Sequence, residues 1–480
     1  MAGADKKAML GHKIRRFRQD LGMTQIEMAE TLEISASYLN LIEHNQRPVT
    51  VPLLFRLGQA FEVDLREFAE DESARLAAGL KEVFSDPLFE GQRVREQEIR
   101  ELAEISPAAA HAVMNLYKAY ADMRADTQAL AQRLTDPDKM PGLELQGFPV
   151  EEVRDFYQDR SNHFPELEAL ADDLWTDAAL DSETLFQGLA AHLQAVHQTG
   201  TRVMPMDLMG DALRRYDFHR RRVLLSEALP PSGRIFQLAV QLAHLAYDEH
   251  IQRIVEGAGL SSPDAERLCY MGLSGYFAGA VMMPYDRFLA AAKDLRYDIE
   301  VLQNRFGASF EQVCHRFTTL QRQGARGVPF FFVRVDNAGN VSKRLSGAGF
   351  QFARFGGTCP RWVVHDVFQR PGRIHSQLAA MPDGTAFLTV ARTVDPVATG
   401  HLVRGPQLAV AVGCDAADAR HLVYGDGLDA KRIETMEPVG VSCRVCERAD
   451  CSQRAHPPLN HRLKLDPNMR RMTPFAIAPN

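Results

Sequence analysis

Apolar residues recur every three or four positions through most of the chain up to residue 325, and every second position in parts of the remainder. The first spacing predicts helices and the second predicts strands. The expected fold class is therefore mainly α in the N-terminal two thirds, followed by a C-terminal α+β domain. Near the N-terminus, Ile14, Phe17 and Leu21 fall at helical spacing, with Arg15, Arg16 and Arg18 on the other faces. Thr24 and Glu27 form a capping box for the next helix, whose buried side is assigned to Ile26, Met28, Ala29 and Leu32. Glu33-Ile34 reads as a tight turn, and Ser35 caps a second helix to about Glu43, anchored by Tyr38, Leu39 and Ile42. After Pro48, Val51-Phe61 reads as one more helix packed beneath. Two short helices joined by a tight turn define a helix-turn-helix.

Helical spacing continues through Glu98-Ile105 and Ala108-Leu134, a dimerising arm or simply a spacer. Asp136-Pro137 and Pro141-Gly142 mark a loop and a boundary near residue 145. Residues 149–325 again read mostly as helices: Pro149-Gln158, Phe164-Asp173, Ser182-His197, Gly233-Ile254, Asp264-Met282 and Tyr285-Asp294. Strand patterns follow at Val328-Val335, Thr385-Val394 and Gln407-Val412. The expected domains are 8–70 (DNA reader), 71–145 (helical arm), 146–325 (helical, ligand-binding) and 326–475 (α+β).

Composition narrows the class. With 45% hydrophobic and 24% charged residues, the 480-residue chain can bury sizeable cores, and no apolar run reaches membrane-spanning length. No apolar stretch of a signal peptide follows Met1, so a cytoplasmic protein is expected. The net charge of −7 excludes a protein coated in basic patches, so DNA contact must rely on local basicity from Lys6, Lys7, Lys13, Arg15, Arg16 and Arg18.

Seven cysteines suit no disulfide framework. Cys269, Cys314 and Cys414 stand alone and read as buried small apolar groups. Cys443, Cys446 and Cys451 sit in a C-x2-C-x4-C run, and Cys359 lies far upstream in Gly356-Gly357-Thr358-Cys359-Pro360. Together these four supply a complete thiolate shell, for a tetrahedral zinc or for an iron–sulfur cluster; spacing alone favours neither. Arg444, Arg448 and Arg454 lie nearby to offset thiolate charge.

Resemblances to known families sharpen this reading. The stretch from Thr24-Gln25 through Ile34-Ser35 and Tyr38-Leu39-Asn40-Leu41-Ile42-Glu43 to Arg47-Pro48 resembles the Cro/C1 (XRE) repressor family. That resemblance implies that Ser35, Ser37, Tyr38 and Asn40 face bases or backbone. It also sets Gln25, Asn45 and Arg47 close to phosphates, and a dimer on a two-fold operator is expected. The segment Gly233-His244, with Tyr276-Pro284, resembles the zinc metallopeptidases of the ImmA/IrrE class. Where that class carries H-E-x-x-H, this chain has Val240-Gln241-Leu242-Ala243-His244, and Leu273 stands at the third ligand position. With one ligand of three left, no hydrolytic zinc is expected. His244 then reads as a core histidine, and Asp248, Glu249 and His250 as a solvated face.

The surviving cleft can be reused for a ligand. Arg214, Arg215, Arg220, Arg221 and Arg222 are candidates for its anionic part, with Tyr216 or Phe218 to cover an adenine ring. The alternative is a solvated charge run paired with Asp211, Asp217 and Glu227. The order of parts resembles the short-chain fatty acyl transcriptional regulators of the XRE type. Asp86-Pro87-Leu88-Phe89, Cys359-Pro360-Arg361-Trp362 and Cys443-Arg444-Val445-Cys446-Glu447-Arg448 support that likeness. It implies a non-enzymatic regulator with an acyl-CoA effector in the middle domain and a [4Fe–4S] cluster on Cys359, Cys443, Cys446 and Cys451. The alternatives are a zinc-stabilised regulator without a small ligand and an active metallopeptidase.

Overall fold

The computed structural model describes residues 11–44, 46–61, 72–89, 94–134, 149–347, 350, 358–395, 405–441, 443, 446–449, 451–457, 463, 468–469 and 475. Lys6, Lys7, Asn45, Gly356, Gly357, Arg444 and the loop near residue 145 lie outside them, as do the side chains of Lys13 and Arg16. The chain divides into two compact units, Met1–Tyr120 and Ala121–Asn480. The architecture is helical first and a mixed sheet with helices afterwards, as the apolar spacing predicts. No helix among the described residues is long and apolar enough to cross a membrane.

The first unit opens with helices Gly11–Asp20, Gln25–Thr31, Ala36–Glu43 and Val51–Ala60. Ile14, Met28, Ala29, Leu32, Leu39, Ile42, Leu53 and Leu57 make their common core. Leu21 and Ile26 are not part of it; Ile26 is 63% exposed. A seven-residue helix has room for only one narrow apolar face, which Met28 and Ala29 fill. Further on, helices Glu72–Phe84, Glu96–Ile105 and Pro107–Leu134 gather Leu76, Leu80, Ile99, Ala103 and Met114 into a second core. There Asp86 accepts the Tyr117 hydroxyl at 2.9 Å and the Leu88 amide at 2.8 Å, pinning the Pro87–Phe89 turn.

The second unit is built on helices Pro149–Asp159, Pro165–Asp177, Leu185–His197, Pro231–Ala246, Asp248–Glu256, Pro263–Met282 and Tyr285–Asp294. The single helix expected over 233–254 is in fact two, broken at Tyr247 (φ −125, ψ 17). The expectation of helices almost throughout 149–325 misses a small sheet. It consists of β1 (Gly200–Met204), β2 (Arg214–Asp217) and β3 (Arg222–Ser226) in the order β1-β3-β2. The short helices Ile299–Phe306 and Phe310–Phe317 were likewise not foreseen.

Inside the helical layer, Glu168 and Arg316 form a fully buried ion pair with bonds of 2.6 and 2.8 Å. Tyr276 adds a third bond to Glu168 at 2.5 Å. Burial alone would raise the Glu168 carboxyl, but Arg316 and Tyr276 override it and hold the group below the usual carboxylate range.

Strands β4 (Phe331–Asp336), β5 (Val341–Leu345), β6 (His375–Ala380), β7 (Ala386–Val394), β8 (Leu408–Asp415) and β9 (Glu437–Pro438) form a second sheet, ordered β5-β4-β8-β7-β6-β9. Pairing is antiparallel throughout except between β6 and β9. The expected strand over 328–335 begins only at Phe331, while β5, β6 and β9 were not anticipated. Alternate residues send this sheet into two cores. Phe330 before β4, with Phe332, Leu388, Val390, Val410 and Val412, joins the helical core. Phe331, Val333, Phe387, Ala391 and Ala409 face the other way, onto Phe350, Trp362 and Cys359. Burial on both faces explains the unbroken apolar run Phe330-Phe331-Phe332-Val333.

Candidate functional site

Three places carry side chains that do chemistry: the helix-turn-helix, the former peptidase helix and the cysteine region.

In the helix-turn-helix, Thr24 accepts from the Glu27 amide and Glu27 reaches back to Thr24, completing the capping box. Ser35 caps helix Ala36–Glu43 by accepting from the Tyr38 amide at 3.1 Å. Buried Glu43 at the end of that helix takes two bonds from Arg18, at 2.7 and 3.1 Å, and one from Gln25 at 2.7 Å. Burial pushes the Glu43 carboxyl up, yet Arg18 and Gln25 together keep it below its ordinary range. Gln25 also donates to Asn40 at 3.3 Å. One buried carboxylate thus fixes the starts and ends of three helices, and Gln25 and Asn40 are held side by side. Ser37, Asn40 and Arg47 are exposed, and Tyr38 is half-buried. Sequence reasoning missed the Arg18–Glu43 pair, whose only signal was a glutamate on the apolar face of its helix.

On helix Pro231–Ala246, Val240 and Gln241 are buried and His244 half-buried. Leu273, on helix Pro263–Met282, is fully buried in the apolar core. Arg214 on β2 donates to Gln241 Oε1 at 3.0 Å. Tyr270 lies 5.2 Å from the His244 ring and gives its hydroxyl proton to Asp248 at 2.5 Å. Burial first, and the Arg214 charge second, lower the His244 pKa to about 4. Strand alternation splits the arginine run. Arg214 and Tyr216 pair with buried Leu225 and Val223, whereas Arg215 and Arg222 project from the opposite face. Arg220 and Arg221 lie in the β2–β3 turn, where Arg221 adopts a left-handed φ of 50° and donates to Gln198 at 2.9 Å. The five arginines therefore do not form one surface.

Cys359, Cys443, Cys446 and Cys451 line one cavity, together with Pro360, Pro438, Gly440, Arg448 and Arg454. Its empty space, counting the open mouth, is about 300 Å³. Cys359 is buried at the edge of the Trp362 core, and the other three are half-buried. Burial raises the Cys359 thiol pKa, against which the backbone N–H groups of Gly440 and Arg361 act. Gly440 is required by close approach: a Cβ there would stand 2.9 Å from Cys446 Sγ.

Buried Arg454 ties the cysteine loop together, donating to the carbonyls of Cys443 (2.9 Å), Cys446 (3.0 Å) and Arg448 (2.5 Å). Arg448 anchors that loop to β6 through the Ala380 carbonyl at 2.6 Å. Among the described residues, the Nε groups of Arg448 and Arg454 are buried with no hydrogen-bond partner. Arg361 bonds Glu437 at 2.6 Å and also reaches Cys451. Among the described residues, no three His, Cys, Asp or Glu side chains are drawn close enough to hold a single ion. The four thiols are ranged around the cavity instead. Cys269, Cys314 and Cys414 are buried elsewhere.

A DNA reader joined to such a second unit defines a regulator, and comparison with known proteins gives its kind. Residues 14–68 match the family model described as helix-turn-helix, residues 196–318 the IrrE N-terminal-like domain, and residues 319–475 the short-chain fatty acyl coenzyme A regulator, C-terminal. The HTH-type transcriptional regulator PrpR of Mycobacterium tuberculosis is 39% identical over 97% of this chain and 95% of its own length. RamB, also described as an HTH-type transcriptional regulator of that organism, is 38% identical, covering 98% of this chain and 99% of the relative. The propionyl-CoA carboxylase regulator of Cereibacter sphaeroides has the same identity and coverage. A solved structure described as a Mycobacterium tuberculosis transcriptional regulator superposes with a TM-score of 0.66 at 41% identity, over 68% of this chain and 99% of that one. The chain is a DNA-binding transcriptional regulator of the helix-turn-helix type. It belongs to the family of short-chain fatty acyl coenzyme A regulators.

Proposed function

We propose that this regulator controls genes of short-chain acyl-CoA and propionate metabolism, senses an acyl-CoA, and carries a [4Fe–4S] cluster on Cys359, Cys443, Cys446 and Cys451. The observation that carries the reading is the cavity lined by four thiols in a chain that begins with a DNA reader. The donor set fits the cluster in three respects. Four sulfurs are the usual ligand count. Arg448 and Arg454 line the cavity, where their charge offsets that of the thiolates. The amides of Gly440 and Arg361 face the Cys359 sulfur, as hydrogen bonds to cluster ligands do. When bound, the cluster would tie the 443–451 loop to Cys359.

The names of the relatives direct the metabolic assignment, since one is described as a propionyl-CoA carboxylase regulator. In this reading an acyl-CoA binds the second unit, with the guanidinium groups of the β2–β3 hairpin meeting its anionic part. A homodimer then places two readers on a two-fold operator, and the ligand biases their arrangement by binding one state more tightly. The direct test is calorimetry of the purified protein with acetyl-CoA and propionyl-CoA, repeated with Arg221→Ala. Saturable heat that falls in the variant supports the reading. Undiminished heat removes Arg221 from the site, and absent heat removes the effector.

A further inference from the structure

The former catalytic position of helix Pro231–Ala246 has lost its negative charge while keeping a cation beside it. In a metallopeptidase of this scaffold a metal cation stands beside a glutamate. Here the cation is the half-buried guanidinium of Arg214, and the former glutamate position is neutral Gln241. Gln241 Oε1 is the one hydrogen-bond acceptor of Arg214 among the described residues, and no carboxylate there lies within ion-pair distance of it. Its other guanidinium nitrogens have no acceptor among the described residues and are not fully buried, so a ligand can reach them.

His244 stands three residues after Gln241 on the same helix face, and among the described residues its buried Nε2 has no partner. Its ring lies against Tyr270, whose hydroxyl is engaged by Asp248, so that aspartate is committed elsewhere. The imidazole is neutral at physiological pH and keeps one N–H.

We propose that Arg214, Gln241 and His244 form a binding site for a small carboxylate. The guanidinium and the imidazole N–H meet its oxygens, and Gln241 acts as a positioning residue for Arg214. One fixed positive charge matches one carboxylate, whereas a phosphate dianion would bring a second negative charge without a counter-ion. The carboxylate belongs either to a free short-chain acid or to the C-terminus of a peptide. This inference does not rest on acyl-CoA sensing.

The experiment is calorimetry of the full chain at constant ionic strength with sodium propionate, trialanine, trialanine amide and sodium phosphate. Propionyl-CoA is titrated separately. Saturable heat is expected from propionate or trialanine and not from the amide; which of the two binds identifies the source. Affinity should fall at least about tenfold in Arg214→Gln, as expected for losing a charge-assisted hydrogen bond. It should stay unchanged in Arg253→Gln, an exposed arginine on the next helix. Gln241→Glu supplies an internal carboxylate to Arg214 and should abolish binding while the fold persists, judged by an unchanged far-UV spectrum and a cooperative melting curve. The proposal is overturned if neither carboxylate binds, if phosphate binds as well as propionate, or if Gln241→Glu binds like the wild type. Propionyl-CoA binding without carboxylate binding would sink this site alone. The converse result would sink the acyl-CoA reading alone.

Discussion

Helix Pro231–Ala246, in a domain that matches the IrrE-like family model, and the cavity at Cys359 differ in how much metal-binding chemistry has been kept. At the helix the scaffold survives while the donors are gone: Val240, Gln241 and Leu273 occupy the ligand and base positions, and only His244 is left. At the cavity, four thiols remain with arginine side chains and inward-facing amides around them. The peptidase-like fold tolerates its loss because Leu238, Ala239, Leu242 and Ala243 pack it from the other side of the helix. The cysteine region has few apolar residues of its own and is held by Arg448 and Arg454 bonding to carbonyls. Metal chemistry follows donor atoms and their neighbours, while the fold follows the apolar core.

The largest effect that would break this contrast is on metal content. Cys446→Ser should remove most of the bound iron and visible absorption, whereas His244→Ala should leave both unchanged. Iron retained in the first variant, or zinc lost from the second, would reverse the comparison. Next in size is the buried ion pair of the helical layer. Arg316→Met leaves Glu168 buried and unpaired, and should destabilise the second unit by about 3–5 kcal/mol in urea unfolding. Because the folded carboxyl of Glu168 is depressed, its contribution is present above its unfolded pKa and is lost as pH falls through the folded value. A loss under about 1 kcal/mol would mean that the pair is replaceable by packing.

Asn40→Ala should weaken operator binding by about 1–3 kcal/mol without changing the oligomeric state, measured by fluorescence anisotropy at fixed salt. Equal affinity would move base contact away from helix Ala36–Glu43.

A smaller effect sharpens the reading of His244. Its pKa is 6.5 when unfolded and about 4 when folded, so protonation favours unfolding. Its titration contributes no pH dependence above pH 6.5, and stability declines as pH falls from there toward about 4. His244→Gln should flatten that part of the stability profile, and an unaltered slope would remove His244 as its source. Smallest is Thr24→Ala, expected to cost about 1 kcal/mol of melting stability through loss of the cap.

Local signals were legible in the sequence wherever a short stretch sets its own structure. The Thr24 and Ser35 caps follow from residues a turn apart, and helix Tyr285–Asp294 has the bounds its spacing implies. The small sheet was not legible. In β2, Arg214-Arg215-Tyr216-Asp217 offers no apolar alternation, because Arg214 itself faces inward to Gln241. β6 and β9 were hidden for a similar reason, being short, partly polar strands whose partners lie far away in sequence. At the cavity, the cysteines announced themselves by type and spacing. Gly440 and the Ala380 carbonyl did not, since each matters only through contacts that the fold creates.

The most direct test of the central claim is the visible absorption spectrum of anaerobically purified protein, with iron and acid-labile sulfide assayed on the same sample. A coloured protein with about four iron and four sulfide per chain is the predicted result. A colourless protein that holds zinc instead, or iron content unchanged by Cys359→Ser, would contradict it.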